Sequence, residues 1–321
     1  MPRFVAIVRL LFVTLGLLGS AAFAQSYPGK PIRLVVPFPP GGSADVVARS
    51  VAQAMGQGLG QPVVVENKAG ADGIIAGEAV MKSPPDGYTL LLATNTAFNA
   101  APILHKVVPY SPVADFTPVG KVGNFGFFVF VNDTVPARNL AQLIDYARAN
   151  PGKVTYGSGN STSIIATARL AQQAKVQLVH VPYKGDAPMT LDLLAGRVNM
   201  AIATGTLLPH AKEGKLRVLA TLLPQRAGGM PEVPTLPEAG AEQIPMTPWA
   251  GIFGPAKMPR EIVERLAREL ARALAQPEVR SQLEAVAFQP QGSSAEELAA
   301  MLRDQIDIWA KAGKEAGITP Q

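Results

Sequence analysis

The segment Lys30–Arg49, KPIRLVVPFPPGGSADVVAR, carries a short apolar, β-branched run through a Pro/Gly loop directly into a helical pattern. A strand that ends in such a loop and turns at once into a helix is the building unit of α/β architectures, where ligands meet the carboxyl ends of strands. The first turn of that helix offers unpaired N–H groups and a partial positive charge, and glycine keeps side chains out of the approach. The junction therefore predicts an anion site.

The rest of the chain keeps the same alternation. Apolar runs at Ile32–Val36, Val63–Glu66, Thr89–Ala93, Phe127–Val131, Val154–Gly157, Val198–Ala203 and Arg217–Thr221 read as strands. Helical spacing of apolar residues marks Ala44–Met55, Gly73–Lys82, Leu140–Asn150, Ser163–Lys175 and Ala187–Ala195. This pattern predicts an α/β fold with largely parallel sheets. Pro224–Pro248 is dense in Pro and Gly and reads as a long surface connection. The C-terminal part is helical, with Ile262, Leu266, Leu270 and Leu274 on one face. Ser294 and Glu297 form a capping box that opens a last helix buried through Leu298, Leu302 and Trp309.

The first 24 residues read as an export signal. Arg3 gives a positive start, Leu10–Leu18 an apolar stretch too short to span a bilayer, and Ala22-Phe23-Ala24 a small-x-small cleavage pattern, although Arg9 stands unusually close to the apolar stretch. The mature chain, from Gln25, is expected to be periplasmic, and no cysteine offers a lipid-anchor site, a disulfide or thiol chemistry. A chain of 321 residues still reaches, without its leader, the top of the roughly 250–300 residues at which single cores stop growing, so two lobes are expected. The charge balance, 29 Lys and Arg against 24 Asp and Glu, is too mild for nucleic acid, and no basic run with interleaved aromatics appears.

A second junction resembles the first. The run Val154–Gly157 enters SGNSTS, Ser158–Ser163, and then a helix; Asn160–Ser163 also read as ordinary helix caps. Thr94-Asn95-Thr96 follows another strand, and three polar strand ends on two lobes define a cleft. Enzyme signatures fail at these residues. The nucleophile-elbow pattern lacks its final glycine at Ser163, no glycine loop ends in Gly-Lys-Ser/Thr, and Gly56, Gly58 and Gly60 follow a helix rather than a strand. His105, His180 and His210 stand in no metal-ligand spacing.

PFPPGGSADVVAR, QPVVVENKAGADG, PDGYTLLLAT, HVPYKGDAP and a closing EAGI stand in one order across the mature chain. In this it resembles the tripartite tricarboxylate transporter substrate-binding proteins, the Bug family. The resemblance implies a type II periplasmic binding protein, with two α/β lobes closing over a small organic anion, expected to be a carboxylate, that is handed to a membrane permease. No catalytic set, metal or cofactor is implied, and a monomer is expected. Two crossings near Gly123 and Met246 would divide it into lobe 1, residues 25–122 plus 247–321, and lobe 2, residues 123–246. The open alternatives are an exported enzyme acting on a small carboxylate, and a protein that presents ligand to a membrane kinase.

Carried over by motif, Phe38, Pro39, Gly41 and Gly42 form the loop that receives one carboxylate, with Thr94 and Asn95 beside it and Asp45 in a structural role. Ser158, Gly159, Asn160, Ser161, Thr162 and Ser163 hold the other side, followed by Tyr183, Lys184, Gly185 and Thr204. The chain departs from the family pattern at Ala201 and Ile202, where relatives often carry Phe-Asp, and at Ile164, where histidine is common. The polar loop also looks one residue shorter. The missing acid argues for a plain carboxylate or small neutral ligand over an amino acid.

Overall fold

The computed structural model describes residues 27–320 apart from 228, 245, 247, 316, 318 and 319, so the expected leader and its cleavage position lie outside the described residues. β1 (Ile32–Val36) sits between two parallel neighbours, β2 (Val63–Asn67) and β3 (Thr89–Thr94), and its Ile32, Leu34, Val35 and Val36 are fully buried. β4 (Phe116–Phe125) completes this N-terminal set. α1 (Ser43–Leu59) packs Val47, Val51 and Met55 inward and stops at Gly60, whose φ of 72° is the left-handed conformation that ends a helix without steric cost. α2 (Ile74–Met81) follows β2, and a π-helical turn at Thr96–Ala100 leads from β3 into α3 (Ala101–Leu104).

At Gly126 the chain changes sheet. β5 (Phe127–Asn132), β6 (Thr155–Ser158), β7 (Val179–Pro182), β8 (Met200–Thr204) and β9 (Leu216–Thr221) form a second sheet in the order β7-β6-β8-β5-β9. α4 (Leu140–Ala149), α5 (Ser161–Ala174), α6 (Asp186–Leu194) and α7 (Leu208–Lys212) alternate with these strands. β10 (Trp249–Pro255) then returns to the first sheet and slots between β3 and β4, and β11 (Phe288–Pro290) closes it, giving β11-β4-β10-β3-β1-β2. α8 (Arg260–Ala275), α9 (Pro277–Ala285) and α10 (Ala295–Glu315) follow the return. Where the chain crosses, the Phe125 N–H donates to the Pro248 carbonyl at 2.8 Å and the Gly126 N–H to that of Ala287 at 2.9 Å. One apolar cluster runs through both sheets, from Leu34 and Ile252 by way of Phe125 and Phe127 to Val129 and Ile202.

The α/β class and every predicted strand and helix are present, with ends shifted by a few residues. The sheets are mixed rather than largely parallel: β10 runs antiparallel to β3 and β4, β11 to β4, and β5 to β8 and β9. A strand buried on both faces reads as a continuous apolar run whichever way it points, so direction leaves no trace in the pattern. The described part of Pro224–Pro248 is irregular as expected but is not simply surface. Val233, Leu236, Ile244 and Met246 are buried, and Thr235 bridges Thr221. The capping box forms reciprocally, Ser294 N–H to Glu297 at 2.8 Å and Glu297 N–H to the Ser294 hydroxyl at 3.1 Å, and Leu298, Leu302 and Trp309 are buried behind it.

Candidate functional site

The cleft opens between the two sheets, with about 490 Å³ of space between its walls, open solvent at its mouth included. On the first-sheet side, the Pro/Gly loop delivers the start of α1. Gly42 is the N-cap at φ −81° and no side chain caps the helix, so the N–H groups of Ser43 and Ala44, which line the cleft with Gly42, lack an intrahelical partner, while that of Asp45 donates to the Gly42 carbonyl at 3.0 Å. Gly41 does not join them. Its φ of 84° turns its N–H back onto Asp45 Oδ2 at 3.1 Å. Asp45 also accepts from Arg49 Nε at 3.0 Å and Asn67 Nδ2 at 2.9 Å; burial works against the charge, yet these hydrogen bonds hold its carboxyl below the usual range. Asp45 thus stiffens the loop, in the structural role expected of it. The Ser43 hydroxyl, in a residue 3 % exposed, has no partner among the described residues.

Thr94 ends β3 facing the cleft with a buried hydroxyl that likewise has no partner. Asn95 and Thr96 lie beside it and reach the second sheet. Asn95 Nδ2 donates to Thr162 Oγ1 at 2.6 Å while its Oδ1 accepts from the Trp249 N–H at 3.2 Å, and Thr96 Oγ1 pairs with Thr162 Oγ1 at 2.9 Å. Phe38, Pro39, Phe125 and Phe127 supply apolar walls.

The polar loop of the second sheet is put to a different use than its composition suggested. Asn160 Oδ1 caps α5 by accepting from Ser163 N–H at 3.0 Å and Ser163 Oγ at 3.2 Å. The Ser161 N–H donates at 3.1 Å to Asp72 Oδ1 across the interface, and Asp72 Oδ2 meets His105 Nε2 at 2.8 Å. Ser158 pairs with His180 Nε2 at 2.6 Å, and burial lowers that imidazole's pKa. Ser158, Thr162 and Ser163 therefore serve capping and closure, Ser161 does so through its N–H while its buried hydroxyl has no partner among the described residues, and of the loop Asn160 alone lines the central cavity. Gly159, Tyr183, Lys184 and Gly185 line an adjoining side opening shared with Phe38 and Pro39. Tyr183 Oη is tied to Asp192 at 2.7 Å.

The far wall comes instead from Thr204 at the end of β8 and from the start of α6, Asp186 and Ala187. Asp186 accepts from Asn160 Nδ2 at 3.1 Å and Thr204 Oγ1 at 3.0 Å. Burial pushes its carboxyl above the usual range although these two bonds and a third from the Thr204 N–H oppose the shift. Gly159 makes this packing possible, since a Cβ there would lie 2.3 Å from Asp186 Oδ1 and 2.4 Å from its N. The cleft does hold an acid, contributed by α6 rather than by β8, where Ile202 is fully buried against β5. Ile164 lines neither cavity. Sequence reasoning missed Ser43, Ala44, Phe125, Phe127, Asp186 and Ala187. Asp186 was within reach, because it directly follows Tyr183-Lys184-Gly185.

Uncapped amides, free hydroxyls and aromatic walls suit an anion with a short apolar body. Among the described residues no group of His, Cys, Asp and Glu is arranged to hold a metal ion, and no helix is long and apolar enough to cross a membrane.

Comparison with known proteins agrees with this geometry. The family described as Tripartite tricarboxylate transporter family receptor matches residues 47–318. Protein BugT of Bordetella pertussis is 34% identical over 321 residues, covering 99% of this chain and 98% of BugT. Among solved structures, R. palustris Rpa4515 with adipate superposes with a TM-score of 0.89 at 32% identity, over 92% of this chain and 100% of that one. The periplasmic binding protein BugD gives 0.87 at 32% identity, with the same coverage.

Proposed function

The chain belongs to the tripartite tricarboxylate transporter family of receptors and is a solute-binding protein rather than an enzyme, and from that premise we propose that its cleft captures a small organic carboxylate for delivery to membrane permease subunits. The observation that carries the reading is the pair of buried, unpartnered hydroxyls of Ser43 and Thr94 beside the uncapped start of α1. A buried polar atom without a partner is expensive, and a ligand carboxylate accepting from it removes that penalty. Phe38, Pro39 and Gly42 form the near side, Thr94 and Asn95 the floor, and Asn160 and Thr204 the far side. The related protein Rpa4515, solved with adipate, supports a carboxylate of this size class.

Residues 25–122 plus 247–321 act as one lobe and 123–246 as the other, hinged where the chain passes from β4 to β5 and before β10. Ligand favours the closed form because only that form presents both walls. The mature protein is a periplasmic monomer released by cleavage after Ala24, a site checked by an N-terminal mass beginning at Gln25.

The test is a melting-temperature titration with succinate, glutarate and adipate, with each compound recovered and weighed afterwards. Binding to the folded state alone raises the midpoint by mass action and leaves the compound intact. Gly42→Asp, whose Cβ meets nothing closer than Pro39 O at 3.8 Å, places a negative charge at the carboxylate position and abolishes the shift without unfolding the protein. An undiminished shift in that variant removes the α1 loop from the site.

A further inference from the structure

Asp186 is the one ionisable side chain lining the central cavity among the described residues, and no Lys, Arg or His lines it with Asp186. By area the residue is only partly covered, because one side opens onto the cleft; the carboxylate is otherwise enclosed by protein. The Asn160 amide, the Thr204 hydroxyl and the Thr204 N–H fill three of the roughly four acceptor sites of a carboxylate. The α6 dipole gives some further support, since Asp186 is the first residue of that helix. None of these brings a countercharge. An enclosed carboxylate facing a site built to receive another anion is relieved either by taking up a proton or by a cation between them, and the protein provides no such cation among the residues lining the cavity.

Resting on the reading of the cleft as a carboxylate receptor, we infer that Asp186 is a specificity-determining residue and that the ligand carries an ammonium group along with its carboxylate. The carboxylate lies toward α1, Ser43 and Thr94, and the ammonium toward Asp186. A hydroxyl in the same position donates one hydrogen bond but leaves the Asp186 charge uncompensated. A plain diacid brings a second negative charge toward it. An ammonium makes a charge-assisted hydrogen bond to the acceptor site left open and neutralises the wall. This reverses the preference suggested by the missing acid at Ile202, because the acid stands on a different element.

Matched pairs of probes test the inference: succinate against aspartate, glutarate against glutamate, and adipate against 2-aminoadipate, each amino compound in both enantiomers, with malate as the hydroxyl control. Calorimetric titration of the mature protein is expected to favour the amino member of at least one pair by about 10- to 100-fold, the range of a hydrogen bond to a charged group. In Asp186→Asn, which keeps side-chain size and an acceptor for Asn160, that preference falls to within about 3-fold and the plain diacid binds more tightly. Diacids bound as well as or better than their amino partners in every wild-type pair overturn the inference and leave the carboxylate reading standing. An amino preference that Asp186→Asn leaves intact also overturns it, by placing the selecting group elsewhere. If no carboxylate of either kind binds the wild type, both readings fall. The wild-type comparison needs no variant to fold.

Discussion

Asp45 and Asp186 both sit in the first turn of a helix, where the dipole favours negative charge, but only Asp45 has a cation, Arg49, at 3.0 Å. The consequence appears as a difference in pH dependence. The folded-state pKa of Asp186 lies above its unfolded value, with burial as the main cause, so the folded protein binds this proton more tightly than the unfolded chain does. Its contribution to stability is therefore complete below the ordinary carboxylate range, near pH 3.9, and is lost as pH rises through the raised value. Asp186→Asn removes this slope, and its hydrogen-bond partners Asn160 and Thr204 do not titrate. The ligand-free variant is expected to melt above the wild type at neutral pH, with the gap closing as pH falls toward 4. Melting midpoints of the two proteins measured across that range check it, and parallel curves would show that the carboxyl is already well solvated.

At the scale of the elements, close backbone approach decides what can stand where. Gly123 in β4 has φ 159°, and a Cβ built there would lie 2.1 Å from the Gln289 carbonyl and 2.6 Å from Phe288. Gly123→Ala must push β11 away beside the crossing strand, a change expected to cost about 1–3 kcal/mol and to lower the urea midpoint. The strands and helices themselves were readable because their apolar periodicity follows burial, which each element's own residues determine. Asp45's structural role and the α10 capping box were readable for the same local reason. The far wall was not. Whether Ser158–Ser163 face ligand or hold elements together depends on partners such as Asp72, His105 and His180, which lie far away in the sequence. Hydroxyls and amides serve both purposes equally well.

Across the whole molecule, a small set of polar links joins the lobes alongside the apolar cluster that runs through both sheets. Thr162 receives from Asn95 and pairs with Thr96, the Ser161 amide reaches Asp72, and Arg169 on α5 meets Glu315 on α10 at 2.8 Å. Thr162→Val deletes the hydroxyl that two first-lobe side chains share and leaves Asn95 Nδ2 unpaired in the closed form. Each such loss is worth about 1 kcal/mol or more, so closure is expected to weaken and affinity for any bound carboxylate to fall about 5- to 10-fold. The radius of gyration of the ligand-free variant, from X-ray scattering, should exceed that of the wild type. An unchanged radius with unchanged affinity would mean that these links form without influencing the hinge.

The seating of β10 between β3 and β4 also sets an order of assembly. The second sheet uses one uninterrupted stretch, β5 to β9, whereas the first cannot be finished until β10 arrives from beyond it. As the chain emerges from its N-terminus, β3 and β4 must wait with open edges while more than a hundred intervening residues, Phe125 to Trp249, are made. Unpaired edges of that kind invite wrong partners. The half that contains the anion loop was begun first and is completed last, so truncation before Trp249 leaves the later-made sheet whole and the earlier-made one unfinished.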